Sequence, residues 1–244
     1  NDQWYLNYSQ KFSDKKQYNN SFSVNASIPW QYITLKGSIS QFDYLTIIRG
    51  LSRHFNATGK TKTITGGINM VLHRNSIGKT TITGDLITKD TVSFIEDTQS
   101  DTGTRKLVIA KLGWKQTIKL RIGTFQGNFS YSQGLSNLNA TQNKPSTNNI
   151  NPKAQFRKLN GRLYWHKKGM QANWYGQYSY DPLYSSEQIN IGDFTSVPGY
   201  NDTLQGDHGI IASHSLSYFP FKKRFKSINI SHSIHAGIIH KKDG

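Results

Sequence analysis

The fold class predicted by the sequence is all-β: an antiparallel transmembrane β-barrel of the outer-membrane type, present as a partial barrel of about eleven strands. Three observations predict it. Apolar and polar residues alternate with a period of two, as in Ile64, Gly66, Ile68, Met70 and Leu72 against Thr63, Thr65, Gly67, Asn69 and His73. Stretches such as 58–74 and 79–96 exceed the usual strand of about five or six residues, which suits a barrel wall better than a soluble sandwich that also alternates. Short turn signals interleave with longer polar ones, placing tight turns at one end of the wall and loops at the other.

Taken in order, the strands expected at 3–12 and 20–28 lead to the turn signal Pro29-Trp30. The third, 31–48, sets Ile33, Leu35, Gly37 and Ile39 against Thr34, Lys36, Ser38 and Ser40. The fourth, 58–74, turns at Asn75 to Gly78 into the fifth, 79–96. After the polar run Asp97 to Gly103 come strands 103–115 and 117–132, then a loop from Leu135 to Pro152 that is rich in Asn, Pro and Ser from Asn137 onward. Strands 154–167 and 170–181 meet at Lys167-Lys168-Gly169, and Met170, Ala172, Trp174, Tyr178 and Tyr180 oppose Gln171, Asn173, Gln177 and Ser179. A third long loop, Asp193 to Gly209, precedes strands 208–219 and 226–240, which turn at Pro220 to Lys223. On this pattern Ile64, Ile68, Met70, Met170, Ala172 and Trp174 face lipid, while Thr65, Asn69, Asn173 and Gln177 face the lumen. Eleven is odd and neither end closes. With no internal repeat and no linker composition, residues 1–244 read as one barrel domain.

Composition narrows the function classes. Thirteen Tyr, twelve Phe and five Trp among Thr, Ser, Asn and Gly belong on pleated surfaces rather than in a disordered chain. No run approaches the roughly 20 apolar residues of a membrane-spanning helix. Zero Cys excludes a disulfide framework, a thiolate metal site and a Cys nucleophile. Thirty Lys and Arg against 14 Asp and Glu give a net charge of +16, but the bases are scattered singly, so the sign favours anionic partners without choosing one. The chain begins Asn1-Asp2-Gln3-Trp4 with no basic-then-apolar leader and reads as a segment of a longer protein.

Catalytic motifs are lookalikes. Gly59-Lys60-Thr61 and Gly78-Lys79-Thr80 resemble the end of a phosphate-binding loop, yet His54 and His73 occupy the positions of its first glycine, so both read as hairpin residues. His232 and His235, three apart on a strand, fall on opposite faces and share no metal. Neither Gly-x-Ser-x-Gly nor His-Glu-x-x-His occurs. Asn-x-Ser/Thr matches such as Asn128-Phe129-Ser130 and Asn201-Asp202-Thr203 are chance in an Asn-rich chain. The expectation is a protein that is not an enzyme and uses no cofactor or metal.

The informative stretch is Gln177 to Tyr200, with Leu183 and Ser185-Ser186-Glu187-Gln188 leading to Val197-Pro198-Gly199-Tyr200, and then Gly206-Asp207-His208-Gly209. Ile28-Pro29-Trp30, Val71-Leu72-His73-Arg74 and Tyr131-Ser132-Gln133-Gly134-Leu135-Ser136-Asn137-Leu138 fall in matching order. The ordered set resembles the two-partner secretion transporters of Gram-negative outer membranes, the filamentous haemagglutinin/haemolysin-type exporters of the outer-membrane protein-insertion superfamily. That resemblance implies a fragment of a larger barrel, with periplasmic domains and the first and last strands outside this chain. It also implies a multi-pass protein of the outer membrane, a monomer in lipid that exports a large unfolded exoprotein to the cell surface. The alternatives are a passive solute channel and a soluble, basic β domain stacking nucleic acid on residues such as Trp174 and Tyr178; the resemblance implies no nucleic-acid partner.

In the family a long loop folds into the lumen, and the Arg of its V-R-G-Y/F tip is paired with an Asp of a D-x-G motif on the wall. The matching positions here are Pro198, within Val197, Pro198, Gly199 and Tyr200, and His235, in His235-Ala236-Gly237. Both charges are absent together, which is physically coherent, because losing one partner of a buried pair costs several kcal/mol whereas losing both is nearly neutral. The expected transport-loop residues are therefore Val197, Pro198, Gly199, Tyr200, Gly206, Asp207 and Gly209, facing His235 and Gly237, with Tyr200 and Gly199 holding the tip. Without the resemblance, Val197 to Tyr200 reads as a surface turn.

Overall fold

The computed structural model describes residues 2–13, 17–49, 54–100, 103–143, 151–192, 196–198, 203–218 and 230–242. Its strands are β1 (Gln3–Ser13), β2 (Gln17–Trp30), β3 (Ile33–Arg49), β4 (His54–Arg74), β5 (Gly78–Ile95), β6 (Thr98–Gln99), β7 (Arg105–Leu120), β8 (Gly123–Leu135), β9 (Arg157–Lys167), β10 (Met170–Ser179), β11 (Ile189–Ile191), β12 (Leu204–Gly206), β13 (His208–Tyr218) and β14 (Ile230–His240). A single 3-10 turn, Ser185–Glu187, interrupts them among the described residues. Twelve strands form one sheet in the order β1-β2-β3-β4-β5-β7-β8-β9-β10-β13-β14, with β6 on β5; β11 and β12 form a second, two-stranded sheet. The chain divides into two compact units, residues 1–70, 83–111 and 134–143, and residues 71–82, 112–133 and 144–244.

In the first unit the alternation has the expected sides. Trp4, Leu6, Phe22, Ile28, Leu35, Ile39, Ile64 and Ile68 are all exposed. Antiparallel register aligns them across strands, with Ile28 opposite Leu35, Leu35 opposite Ile68 and Ile39 opposite Ile64. From Phe22 to Trp30 this face runs about 26 Å along β2 at about 3.3 Å per residue, the scale of a membrane-facing band. The other face is polar: Lys36 reaches across Gly67 to Asp85, Nζ to Oδ1 2.6 Å. A side chain at Gly67 would collide with both partners, so glycine is required there by the close approach.

The second unit carries the same two faces. Phe129, Leu159, Leu163, Tyr178, Ile210, Ile234 and Ile238 are exposed on the apolar side, and Phe129 lies across Gly161, its register partner. Asn160 donates to the Tyr175 hydroxyl and to the Gln177 Oε1, both at 2.8 Å, on the polar side. Two residues keep their expected side but are covered there. Ala172 points to the apolar side but is 2% exposed, because its partners across the ladder are Trp165 and His214. Gln177 points to the polar side but is buried beneath the following loop.

The strand boundaries shift by a few residues in several strands, and most at the turn after β7. The sequence reading puts a turn near residue 116, whereas β7 continues to Leu120 and turns at residues 121–122. Gln116 accepts a 2.7 Å bond from the Thr80 hydroxyl on β5, and the Lys119 amide donates to the Ile77 carbonyl. The long neighbouring strand supplies partners that keep the ladder going. The actual turn is marked by Gly123 at φ 130°, a conformation that suits glycine. The strands β6, β11 and β12, of two or three residues each, carry no readable period. The expected turn at Pro220 to Lys223 lies outside the described residues, as do residues 226–229 of the last expected strand.

Candidate functional site

The connection between β10 and β13 is built to fold back onto the sheet. After the 3-10 turn, Ile189 and Ile191 alternate with Asn190, so the two isoleucines of β11 point one way and become buried while Asn190 stays exposed. β11 pairs with β12, Ile189 opposite Gly206 and Ile191 opposite Leu204. Strands this short do not hold alone. Ile189 and Ile191 pack with Val197 of the same connection and Ile211 of β13, against partly buried Tyr175 and Ile239. Tyr175 shares its face with Gln177, and Ile211 is opposite both Tyr175 and Gly237. The connection therefore lies on the polar face of the sheet.

Its base is locked by charge. Lys158 of β9 puts Nζ 2.8 Å from Glu187 Oε2 and 2.8 Å from the Glu187 carbonyl oxygen, and the two side chains are 11% and 6% exposed. Gln177 donates to the carbonyls of Glu187 and Asp207 at 3.1 and 3.2 Å. Asp207, 3% exposed, accepts from the Leu183 amide, the Gln188 side chain and the Lys242 amide at 2.8, 3.1 and 2.9 Å. A carboxylate with that many donors ties both ends of the connection to the end of β14.

Asp181, just past β10, gathers a second set of cations. Its carboxylate accepts from Lys153 Nζ at 3.1 Å and from the Arg157 amide and Nε at 3.1 and 3.3 Å. Burial by itself would push the Asp181 carboxyl up, but the hydrogen bonds and charges of Lys153 and Arg157 outweigh it and hold the group below its ordinary value. A depressed carboxylate stabilises the fold above its unfolded pKa and loses that contribution as pH falls through the folded one. Thermal unfolding in detergent should therefore find Asp181→Asn less stable than the parent at pH 7. The margin should stay constant down to about pH 4, the ordinary carboxylate range, and vanish at more acid pH.

At the tip, Val197 is buried and Pro198 is exposed. His235 Nδ1 lies 3.0 Å from the Ser196 carbonyl oxygen and Nε2 lies 3.1 Å from Ser233 Oγ. A Cβ at Gly237 would meet Val197 Cγ2 at 3.0 Å and Ile191 Cγ2 at 3.1 Å, and one at Gly209 would meet the Ile238 carbonyl at 2.8 Å. Of the residues expected to matter, Val197, Gly206, Asp207, Gly209, His235 and Gly237 gather on this face, Pro198 points away, and Gly199 and Tyr200 lie outside the described residues. His232 is on the opposite face from His235, and among the described residues no cluster of His, Asp or Glu is placed to hold a metal ion. Sequence reasoning missed Lys158, Gln177 and Ser196 as anchors and gave Glu187 no role; the only signal for Lys158 was its place on the polar side of β9.

The haemolysin secretion/activation protein family ShlB/FhaC/HecB matches residues 1–241 of the chain. The outer membrane transporter CdiB of Escherichia coli is 27% identical over 207 residues, 82% of this chain and 35% of its own length. CdiB of Dickeya dadantii is 28% identical over 225 residues, 89% of this chain and 40% of its own. The hemolysin transporter protein ShlB of Serratia marcescens is 26% identical over 210 residues, 82% of this chain and 37% of its own. The solved structure of CdiB from Escherichia coli shares the fold with TM-score 0.88 at 24% identity, over 99% of this chain and 46% of that one. The chain thus spans less than half the length of the relatives it matches.

Proposed function

The chain belongs to the haemolysin secretion/activation protein family ShlB/FhaC/HecB, and from that premise we propose that it is part of an outer-membrane pore that exports a large unfolded partner protein from periplasm to cell surface. The observation that carries the reading is the family match over residues 1–241 together with a long connection seated on the polar face of an amphipathic sheet. The apolar face meets lipid and the polar face lines a water-filled lumen. Lys, Thr, Ser and Asn side chains on that wall let an extended chain slide without sticking, and folding outside supplies direction. The chain works as a monomer within its full-length protein. The family is one of secretion proteins rather than enzymes, and neither a passive solute channel nor a nucleic-acid-binding domain draws support from it.

Topology tests this directly. In a protein without native cysteine, single cysteines replacing Thr65, Asn69 and Asn173 should react with a membrane-impermeant thiol reagent in intact outer membranes. Cysteines replacing Ile64, Ile68, Met70 and Met170 should not. Equal labelling of the two sets would sink the barrel assignment. Ala172 and Gln177 are unsuitable probes, because neighbouring rings shield one and the loop shields the other.

A further inference from the structure

We infer that His235 is the positioning residue that seats the loop tip, and that it does so by donating a hydrogen bond from Nδ1–H. The inference rests on the reading of the connection between β10 and β13 as a lumen loop. A carbonyl oxygen can only accept, so the 3.0 Å contact between Nδ1 and the Ser196 oxygen requires the proton on Nδ1. Nε2 lies 3.1 Å from Ser233 Oγ, a hydroxyl able to donate to a bare ring nitrogen or to accept from a protonated one. The first contact fixes a proton on Nδ1, and the two together fix the ring orientation.

Three residues on one side of β14 form a template. Ser233 orients the ring, His235 binds the loop backbone, and Gly237 leaves the gap into which Val197 descends, with Val197 Cγ2 3.0 Å from where a Cβ would stand. The loop matches it in sequence, a carbonyl at Ser196 followed by an apolar side chain at Val197. An Arg–Asp ion pair would bring two charges and their desolvation to this place; here a ring-to-carbonyl hydrogen bond and an apolar contact do the positioning. An Asp at position 235 would set a carboxylate against a carbonyl oxygen, acceptor against acceptor, and push the tip away.

The test uses the full-length protein in outer membranes, with Val197→Cys and Gly237→Cys combined so that disulfide formation between the introduced thiols reports the seated tip. A second pair, Ile191→Cys with Gly237→Cys, reports the base of the loop. With the tip pair, His235→Asn, which keeps an amide donor at the δ position, should close the disulfide at nearly the parental rate. His235→Gln, His235→Ala and His235→Asp should slow it on the order of fivefold or more, the weight of one lost hydrogen bond. The base pair should be indifferent to all four. Imidazole nitrogen shifts of His235 should show a protonated Nδ1 in the parent. Equal rates for His235→Asn and His235→Ala, or equal slowing at both cysteine pairs, would overturn the seat. If neither pair closes in the parent although Gly237→Cys by itself leaves thermal unfolding unchanged, the lumen loop itself is wrong, while the wall topology stands on its separate labelling result.

Discussion

Replacing Lys158 with Met should destabilise the folded protein by about 3–5 kcal/mol and abolish export, because it leaves a carboxylate buried without its counter-ion. Glu187 is 6% exposed and takes the Lys158 ammonium on both its carboxylate and its carbonyl. Gln177 Nε2 is engaged with the Glu187 and Asp207 carbonyls rather than with the carboxylate. Glu187→Gln alone should also weaken the protein, since the ammonium loses its carboxylate, although the carbonyl at 2.8 Å and the ring of Phe156, its centroid 5.5 Å away, are still there. Lys158→Met combined with Glu187→Gln should recover much of the loss, as removing both charges removes the desolvation that each imposes. Thermal unfolding of the four proteins in detergent completes a double-mutant cycle. Strict additivity would mean that the pair does not hold the loop.

The second large effect is on the wall. Ile68→Arg should cost about 2–4 kcal/mol of folding free energy in lipid vesicles, the price of a cation at mid-membrane on a barrel's outer face. Ile68 is 41% exposed and sits opposite Leu35, itself 51% exposed, so the guanidinium would enter the middle of the apolar band. Asn69→Arg, one residue along and on the other face, should change stability little, because its head reaches the water of the lumen and an acceptor with no partner, Asn69 Oδ1, is removed with it. Similar losses at both positions would show that Ile68 does not face hydrocarbon.

The wall was legible because the side-chain period of a strand is fixed by geometry, so Ile64 to Leu72 or Met170 to Tyr180 declare both faces locally. Turns were less legible: Gln116 is polar, yet a hydroxyl on β5 holds it in the ladder. The loop was visible as Val197 to Tyr200 and Gly206 to Gly209, and the departure at His235 drew attention to the wall position that meets it. What His235 touches was not visible, since Ser196 lies far away in sequence and its contribution is a backbone oxygen that no residue type encodes. Lys158 was one lysine among many on a basic chain. Its importance comes from burial, and burial is set by how the loop returns.

The pairing of β3 with β4 runs unbroken from Ile33 opposite Met70 to Arg49 opposite His54, but the apolar stripe stops at Ile39 and Ile64. Past that point Gln41 bonds to Asp43 on one side, Lys60 and Lys62 are exposed beside them, and Phe42 and Tyr44 stack on the other. A one-residue slip in the lower half would turn Ile64, Ile68 and Met70 into the lumen, whereas in the upper half it would exchange mixed residues for mixed residues. The upper half has little alignment information of its own. The frame of this pair is thus held at two places, by the apolar stripe at one end and by the short connection between Arg49 and His54 at the other, and the mixed stretch between them follows both.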